Sequence, residues 1–265
     1  MMTIGIYTRR QGDADTRQSI QQLTDIMRQR GIRPLQVNDC LPDEPLDFLL
    51  TVGGDGTLLN SLNIIGATDI PVVGINFGHL GFLTTAGRND MEALIDSLVK
   101  GHYTIEQRTL LDIEVGGQHM TALNEAVLHR DIESEMLRTK VYVNDECVGT
   151  YAGNGVIVAT PTGSTAYSLS CGGPILTPDC GCFVVTPIAA HTLTLRPVIV
   201  PDSATLRLAT DPEHAKIHLS LDSRQEEIVG GQDILLKRAA FTIRLTRMNN
   251  QTFFTAIRQK LMWGV

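Results

Sequence analysis

Leu46-Asp47-Phe48-Leu49-Leu50-Thr51-Val52-Gly53-Gly54-Asp55-Gly56-Thr57-Leu58-Leu59-Asn60-Ser61-Leu62 is the stretch that decides the fold. The apolar run from Leu46 to Val52 reads as a buried strand, and Leu58 to Leu62 opens a helix, so Gly53 to Thr57 is a strand-to-helix turn. Three glycines in four positions let the backbone take positive φ, approach a ligand closely and aim successive N–H groups at phosphate oxygens. Among those amides stands one carboxylate, Asp55. It suits an anion site only where it takes a proton from a hydroxyl or touches a metal-bridged phosphate. The plainer alternative is a turn with Asp55 as helix cap.

Working outward, the first hundred residues alternate strand and helix signals. Ile4 to Tyr7 and Pro71 to Ile75 read as strands. Ile20, Leu23, Ile26 and Met27 recur at helical spacing between Asp15 and Arg30, with Gly31 just past the end. Met91, Leu94, Ile95, Leu98 and Val99 mark a further helix, capped by Asn89 or Asp90 and closed by Gly101. From about residue 105 the period falls to two. Leu111–Val115 and Met120–Leu123 flank Gly116-Gly117, and Lys140–Val143 and Cys147–Thr150 flank Asn144-Asp145-Glu146, as hairpins do. Leu206–Ala209, Ile217–Leu221, Ile234–Leu236 and Phe241–Leu245 continue the series, and Phe254, Ile257, Leu261 and Met262 share a closing helical face. The expected fold is an α/β N-terminal domain with a mostly parallel sheet (1–104), an all-β, sandwich-like C-terminal domain (105–247), and a C-terminal helix (248–265) returning to the first domain. Abutting domains leave a cleft, where ligands gather.

With 265 residues, 43% apolar, and a net charge of −7, the chain suits a soluble enzyme and argues against nucleic-acid binding. Anionic ligands must then be held by backbone amides and a few local cations. No apolar run approaches the roughly 18 residues of a membrane span, and a signal-peptide pattern is lacking, so the expectation is a cytoplasmic protein without membrane partners. Five cysteines without a C-x-x-C pair read as unpaired thiols in a reducing compartment.

The familiar motifs for a Walker-A loop, a Rossmann dinucleotide fingerprint, a zinc protease and a nucleophile elbow do not occur. Three other segments stand out. In Gly78-His79-Leu80-Gly81-Phe82-Leu83 the glycines allow backbone approach and Phe82 is placed to cover a base, or else to fill the core. Asn124-Glu125 interrupts an apolar run. Neighbouring strand residues face opposite ways, so one of the two turns inward unless the strand ends there. Burying an unpaired amide costs roughly 2–7 kcal/mol, which implies a ligand or a hydrogen-bond network. The third runs from Gly153 to Pro174: a buried strand enters a hydroxyl-rich loop, with a helix expected to start at Ser164 or Thr165 and Tyr167 free to stack on a base or sugar.

Taken together these segments resemble the NAD kinases, which phosphorylate NAD to NADP. The matching pieces are Gly53-Gly54-Asp55-Gly56-Thr57, Gly78 to Leu83, Asn124-Glu125, Ala159-Thr160-Pro161-Thr162-Gly163-Ser164-Thr165-Ala166-Tyr167 and Pro187-Ile188-Ala189-Ala190-His191. The glycine-Asp motif is shared with diacylglycerol and sphingosine kinases and, more loosely, phosphofructokinases, whereas the long Thr-Pro-Thr-Gly stretch with Asn-Glu upstream separates the NAD kinases. The resemblance implies catalysis by Asp55 on the adenosine 2′-hydroxyl, and donor phosphate held by Gly53, Gly54, Gly56 and Thr57. It implies NAD contacts from Asp55, Gly56, Phe82, Asn124, Glu125, Asn154, Thr162, Thr165, Ala166, Tyr167 and Ser170. It also implies ATP or polyphosphate as donor, Mg²⁺ or Mn²⁺ carried on the donor phosphates without a protein cage, and a homodimer or homotetramer with the active site between domains. A lipid kinase of the diacylglycerol type and a non-catalytic dinucleotide sensor are the alternatives. The chain departs from the family at Asn154, where an Asp is usual, and at Asp222-Ser223-Arg224, where Asp-Gly is frequent and no role is carried over.

Overall fold

The computed structural model describes residues 1–9, 13–77, 81–131, 136–211, 217–222, 224–248 and 251–263. The chain forms two units, Met1–Gln107 together with Ile243–Val265, and Arg108–Thr242. Among the described residues no helix is long and apolar enough to cross a membrane.

The first unit contains β1 (Thr3–Tyr7), α1 (Ala14–Gln29), β2 (Arg33–Val37), β3 (Phe48–Val52), α2 (Asp55–Ile65), β4 (Val72–Asn76), β5 (Ala86–Gly87) and α3 (Met91–Lys100). Its strands lie parallel in the order β2-β1-β3-β4, with Ile6 opposite Leu50 and Leu50 opposite Val73. Every residue of β3 is buried, as a central strand covered on both faces requires. Phe48, Leu50 and Val52 join Ile4, Ile6, Val73 and Ile75 in one cluster with Leu23, Ile26 and Met27 of α1 and Leu94, Ile95 and Leu98 of α3. Each such side chain contributes roughly 1.5–3 kcal/mol on burial, well above helix propensity. Asp13 caps α1, its carboxylate accepting from Thr16 N at 3.2 Å and Thr16 Oγ1 at 2.7 Å. The periodicity gave no warning of β2. Arg33-Pro34-Leu35-Gln36-Val37 is an edge strand paired only to β1, where proline and polar residues are tolerated because one side of the ladder is open.

The second unit is antiparallel. The chain enters it along β6 (Tyr103–Val115) and continues through β7 (Gln118–Ala122), β8 (Glu125–Arg130), β9 (Leu137–Val143), β10 (Glu146–Gly153), β11 (Gly155–Ala159), β12 (Cys182–Ile188), β13 (Val198–Pro201), β14 (Leu206–Thr210), β15 (Ile217–Leu221) and β16 (Arg224–Ile228), leaving along β17 (Asp233–Met248). One sheet runs β13-β12-β11-β8-β15-β16; the strands facing it run β10-β9-β14-β17. Between them lies a core of Leu111, Ile113, Leu128, Val141, Val156, Val158, Phe183, Leu208, Leu219 and Leu236. Val127, Ile157, Ala159 and Val184 point the other way and pack a second cluster with Leu176 and Ile188. The strand Gly155–Ala159 is therefore apolar at every position because both its faces are covered.

Three expectations are corrected. Ile234–Leu236 and Phe241–Leu245 belong to one continuous strand, β17, whose exposed Lys237 and Arg238 interrupt the apolar pattern without ending the ladder. The turn between β9 and β10 is Asn144-Asp145, both at positive φ (48° and 68°), the geometry of a two-residue type I′ hairpin, so Glu146 belongs to the strand. The closing helix α5 (Phe253–Leu261) lies in the first unit as expected, but Phe254 is 59% exposed and Met262, at 75%, lies beyond the helix in a left-handed conformation. Its buried anchor is Ile257 alone.

Candidate active site

In the first unit, β3 ends where Gly53 N donates to Ile75 O at 2.8 Å. Gly53 has φ 149°, and a Cβ there would overlap the Thr57 side chain, so the turn demands glycine. Gly54 is the N-cap of α2 and Asp55 its first residue, which corrects the capping alternative. The Asp55 carboxylate instead accepts Phe82 N at 2.8 Å on Oδ2 and Leu83 N and Thr84 N, each at 3.2 Å, on Oδ1. A carboxylate offers about four acceptor positions; among the described residues three are filled, which leaves one on Oδ2. The Phe82–Thr84 segment is held from its other side by Arg247, which donates to Phe82 O at 2.6 Å and pairs with Glu106 at 3.1 Å. Arg247 carried no sequence signal, being one cation in an alternating strand. Phe82 itself is half-buried, with Lys260 Nζ 5.9 Å from its ring centre. Gly78, His79 and Leu80 lie outside the described residues. Gly56 is exposed at the first turn of α2, where helix N–H groups lack intrahelical partners and the dipole favours anions.

In the second unit, a cavity of about 480 Å³ is lined by Glu125, His129, Arg130, Asn154, Tyr167 and Asp222 among others. Of the residues expected to contact NAD, it gathers Glu125, Asn154 and Tyr167. Thr162, Thr165, Ala166 and Ser170 lie in the adjoining loop, where a 3-10 turn (Gly163–Thr165) precedes a single helical turn, α4 (Tyr167–Ser170). The helix starts later than expected because Ala166, at φ −102° and ψ −130°, interrupts the turn, while the hydroxyls bond back within it: Ser164 Oγ to Pro161 O at 2.7 Å and Thr165 Oγ1 to Thr162 O at 3.2 Å. Thr162 Oγ1 also accepts from buried Arg108 at 3.3 Å.

The strand does end before this pair: β7 stops at Ala122, Leu123 and Asn124 break the ladder, and Glu125 opens β8. Glu125 is nonetheless only 8% exposed. Its Oε1 accepts Tyr167 N at 3.3 Å, while Oε2 is buried without a hydrogen-bond partner. Burial, aided by nearby Asp222, pushes the Glu125 carboxyl up to about 7, against the amides of Tyr167 and Ser168. A buried carboxyl oxygen with no partner among the described residues is an exception that calls for a bound water, an ion or a ligand group. Asn154 is exposed at the rim, its Oδ1 accepting Arg130 Nε at 3.0 Å. His129 and His218 stack with ring centres 5.2 Å apart, and burial lowers the His129 pKa. Asp222, given no role from the sequence, accepts amides of the Leu123–Glu125 break. Its φ of 52°, visible only in three dimensions, is what turns it there.

A model of the ATP-NAD kinase N-terminal domain matches residues 6–103, and one of the ATP-NAD kinase C-terminal domain matches residues 123–245. An NAD kinase of Porphyromonas gingivalis is 44% identical over 230 residues, 86% of this chain and 80% of that protein. The chain belongs to the NAD kinase family. A relative named NAD kinase in Christiangramia forsetii matches end to end, 34% identical over 99% of this chain and 98% of its own length. Among solved structures, a yeast NADH kinase complexed with NADH superposes with a TM-score of 0.88 at 21% identity, covering 100% of this chain and 88% of that one. An NAD kinase from Archaeoglobus fulgidus in complex with ATP gives 0.82 at 23%, covering 98% and 99%. These two likenesses show that the NAD kinase fold is shared.

Proposed function

We propose that this NAD kinase family member transfers the terminal phosphoryl group of ATP, or of polyphosphate, to the 2′-hydroxyl of the adenosine ribose of NAD, releasing NADP. The observation that supports the reading is the setting of Asp55: three amides fix its carboxylate, and among the described residues one acceptor position on Oδ2 is left for a hydroxyl proton. A ribose hydroxyl is a weak acid, and a positioned base is worth roughly 10²–10⁴ in rate. Gly53, Gly54, Gly56 and Thr57 receive the donor phosphates at the start of α2, where free helix N–H groups and the backbone dipoles favour anions. Asn124, Glu125, Asn154, Thr162, Thr165, Ala166, Tyr167 and Ser170 hold the dinucleotide, and Phe82 covers it. Near neutral pH the Glu125 carboxyl, raised to about 7 by burial, can carry a proton, and the residue contributes a polar group to the wall of the cavity that seats the dinucleotide.

Mg²⁺ or Mn²⁺ on the donor phosphates supplies charge neutralisation when bound. Asp55 fits that arrangement, because with most of its acceptor positions taken by amides it has little left with which to cage an ion. The five free cysteines support a reducing, cytoplasmic setting. Homodimeric or homotetrameric assembly belongs to the same proposal, with exposed Leu193 and Ile199, the latter on edge strand β13, as candidate surface.

The test is to incubate the purified chain with NAD, ATP and Mg²⁺ and to follow NADP with an NADP-specific dehydrogenase. Formation of NADP supports the reading. Nucleotide binding without turnover would favour the sensor alternative.

A further inference from the structure

We propose that Asp222 is a positioning residue of the dinucleotide site: its carboxylate gathers the amides of Leu123, Asn124 and Glu125 and so fixes the strand break that carries Asn124 and Glu125. The inference rests on the reading of the cavity above as the dinucleotide's seat.

A chain that leaves its ladder for two residues must find other partners for the freed amides. Asp222 Oδ2 accepts Leu123 N at 2.8 Å, and Oδ1 accepts Asn124 N at 2.8 Å and Glu125 N at 3.2 Å. Asp222 N donates in return to Glu125 O at 3.2 Å. The carbonyls of the break are taken from the other side by one residue, Thr160, whose Oγ1 donates to Leu123 O at 2.5 Å and whose N donates to Asn124 O at 2.9 Å. Both polar edges of the break are therefore clamped. Asp222 achieves this just after β15 with φ 52°, a conformation that non-glycine residues adopt rarely and that persists where surrounding bonds enforce it. A neutral side chain of the same size offers one oxygen where three amides converge.

The clamp is also electrostatic. Asp222 is one of the groups that push the Glu125 carboxyl up, after burial itself. The other charged or titratable groups near Glu125 are Tyr167, whose N–H it accepts, and Cys171, with His129, Arg130 and Asp131 among the residues that line the same cavity. Asp222 thus fixes where Glu125 sits and adds a smaller upward push to the carboxyl that burial raises most.

The experiment compares Asp222→Asn and Asp222→Glu with wild type in NAD kinase assays from pH 6 to pH 8.5. Asp222→Asn is expected to raise the KM for NAD by about tenfold or more, as loss of charge-assisted hydrogen bonds does, with a smaller fall in kcat. It also moves the pH inflection of KM downward. Asp222→Glu keeps the charge but misplaces it, so KM rises while the inflection stays. An unchanged KM for NAD in either folded variant overturns the proposal, because a purely structural residue would lower the melting temperature alone. Amide exchange in the wild-type protein gives a reading that needs no variant: slow exchange at all three of Leu123, Asn124 and Glu125 at pH 7 is expected, and fast exchange at any of them contradicts the clamp. Absence of NADP formation by wild type would instead refute the functional reading, while the exchange measurement would still judge the clamp.

Discussion

Replacing Gly81 with alanine tests whether the placement of Asp55 is what makes turnover possible. A Cβ built on Gly81 overlaps the Asp55 carboxylate, and even its more distant oxygen, Oδ2, would lie at 2.5 Å. Ordinary contact begins near 3.4 Å and Oδ1 lies closer still, so the carboxylate must retreat by at least about 1 Å, or the Phe82–Thr84 segment must move away with the hydrogen bonds it donates. Arg247, bonded to Phe82 O and paired with Glu106, resists the second route. A misplacement of about 1 Å at a reacting group costs on the order of 10²-fold in rate, and overpacking a buried site costs about 1–3 kcal/mol of stability. The expected result is a kcat about 100-fold lower at saturating NAD and ATP, with the KM for NAD altered far less, since Gly81 and Asp55 act on the hydroxyl rather than on the bulk of the dinucleotide. NADP formation in a coupled dehydrogenase assay reads kcat, and thermal melting shows that the variant is folded. A folded variant whose kcat stays within about threefold of wild type would refute the reasoning, since the rate would then be indifferent to where this carboxylate stands.

Glu125 predicts a pH dependence of stability. Its carboxyl is raised to about 7 in the folded protein from 4.5, so between those values the folded state binds more protons than the unfolded one and stability falls as pH rises. Glu125→Gln removes that slope: it gains up to about 3 kcal/mol over wild type by pH 8 and nothing from this source at pH 4.5. Denaturant titrations at the two pH values check this, and an equal difference at both would contradict it. Asn154→Asp places a second charge against Arg130 at an exposed site, where such pairs are worth about 0–1 kcal/mol, so stability should hardly change. The new carboxylate at the cavity rim favours the cationic nicotinamide ring of NAD over the neutral ring of NADH, and the ratio of their kcat/KM values is expected to rise a few-fold; unchanged kinetics would refute a role for this position.

The sequence declared the parts of the fold where local pattern and tertiary demand agree. Phe48 to Val52 is apolar throughout because it is covered on both faces, and α1 shows its buried stripe of Leu23, Ile26 and Met27 directly. Where the two part company it was silent. Arg33 to Val37 pairs on one side only and needs no apolar pattern. Lys237 and Arg238 break the alternation of a strand whose backbone ladder runs on past them. The same division holds at the site. Asp55 and Glu125 stood out as carboxylates in apolar or glycine-rich company. Gly81 and Phe82 were singled out, but not the hydrogen bond that brings Phe82 N to Asp55 across 27 residues. Asp222 and Arg247 were illegible, because each acts on main-chain groups far along the chain: Asp222 on Leu123 to Glu125, and Arg247 on Phe82.

The most direct test of the account is NADP formation from NAD, ATP and Mg²⁺ by the wild-type protein and by Asp55→Asn, alongside calorimetric binding of NAD to both. The account predicts that wild type makes NADP, and that Asp55→Asn loses roughly 10²–10⁴ in kcat while binding NAD almost as well. Equal losses in turnover and in NAD affinity would make Asp55 a binding residue, and NADP formation undiminished by the substitution would contradict its role in the phosphoryl transfer.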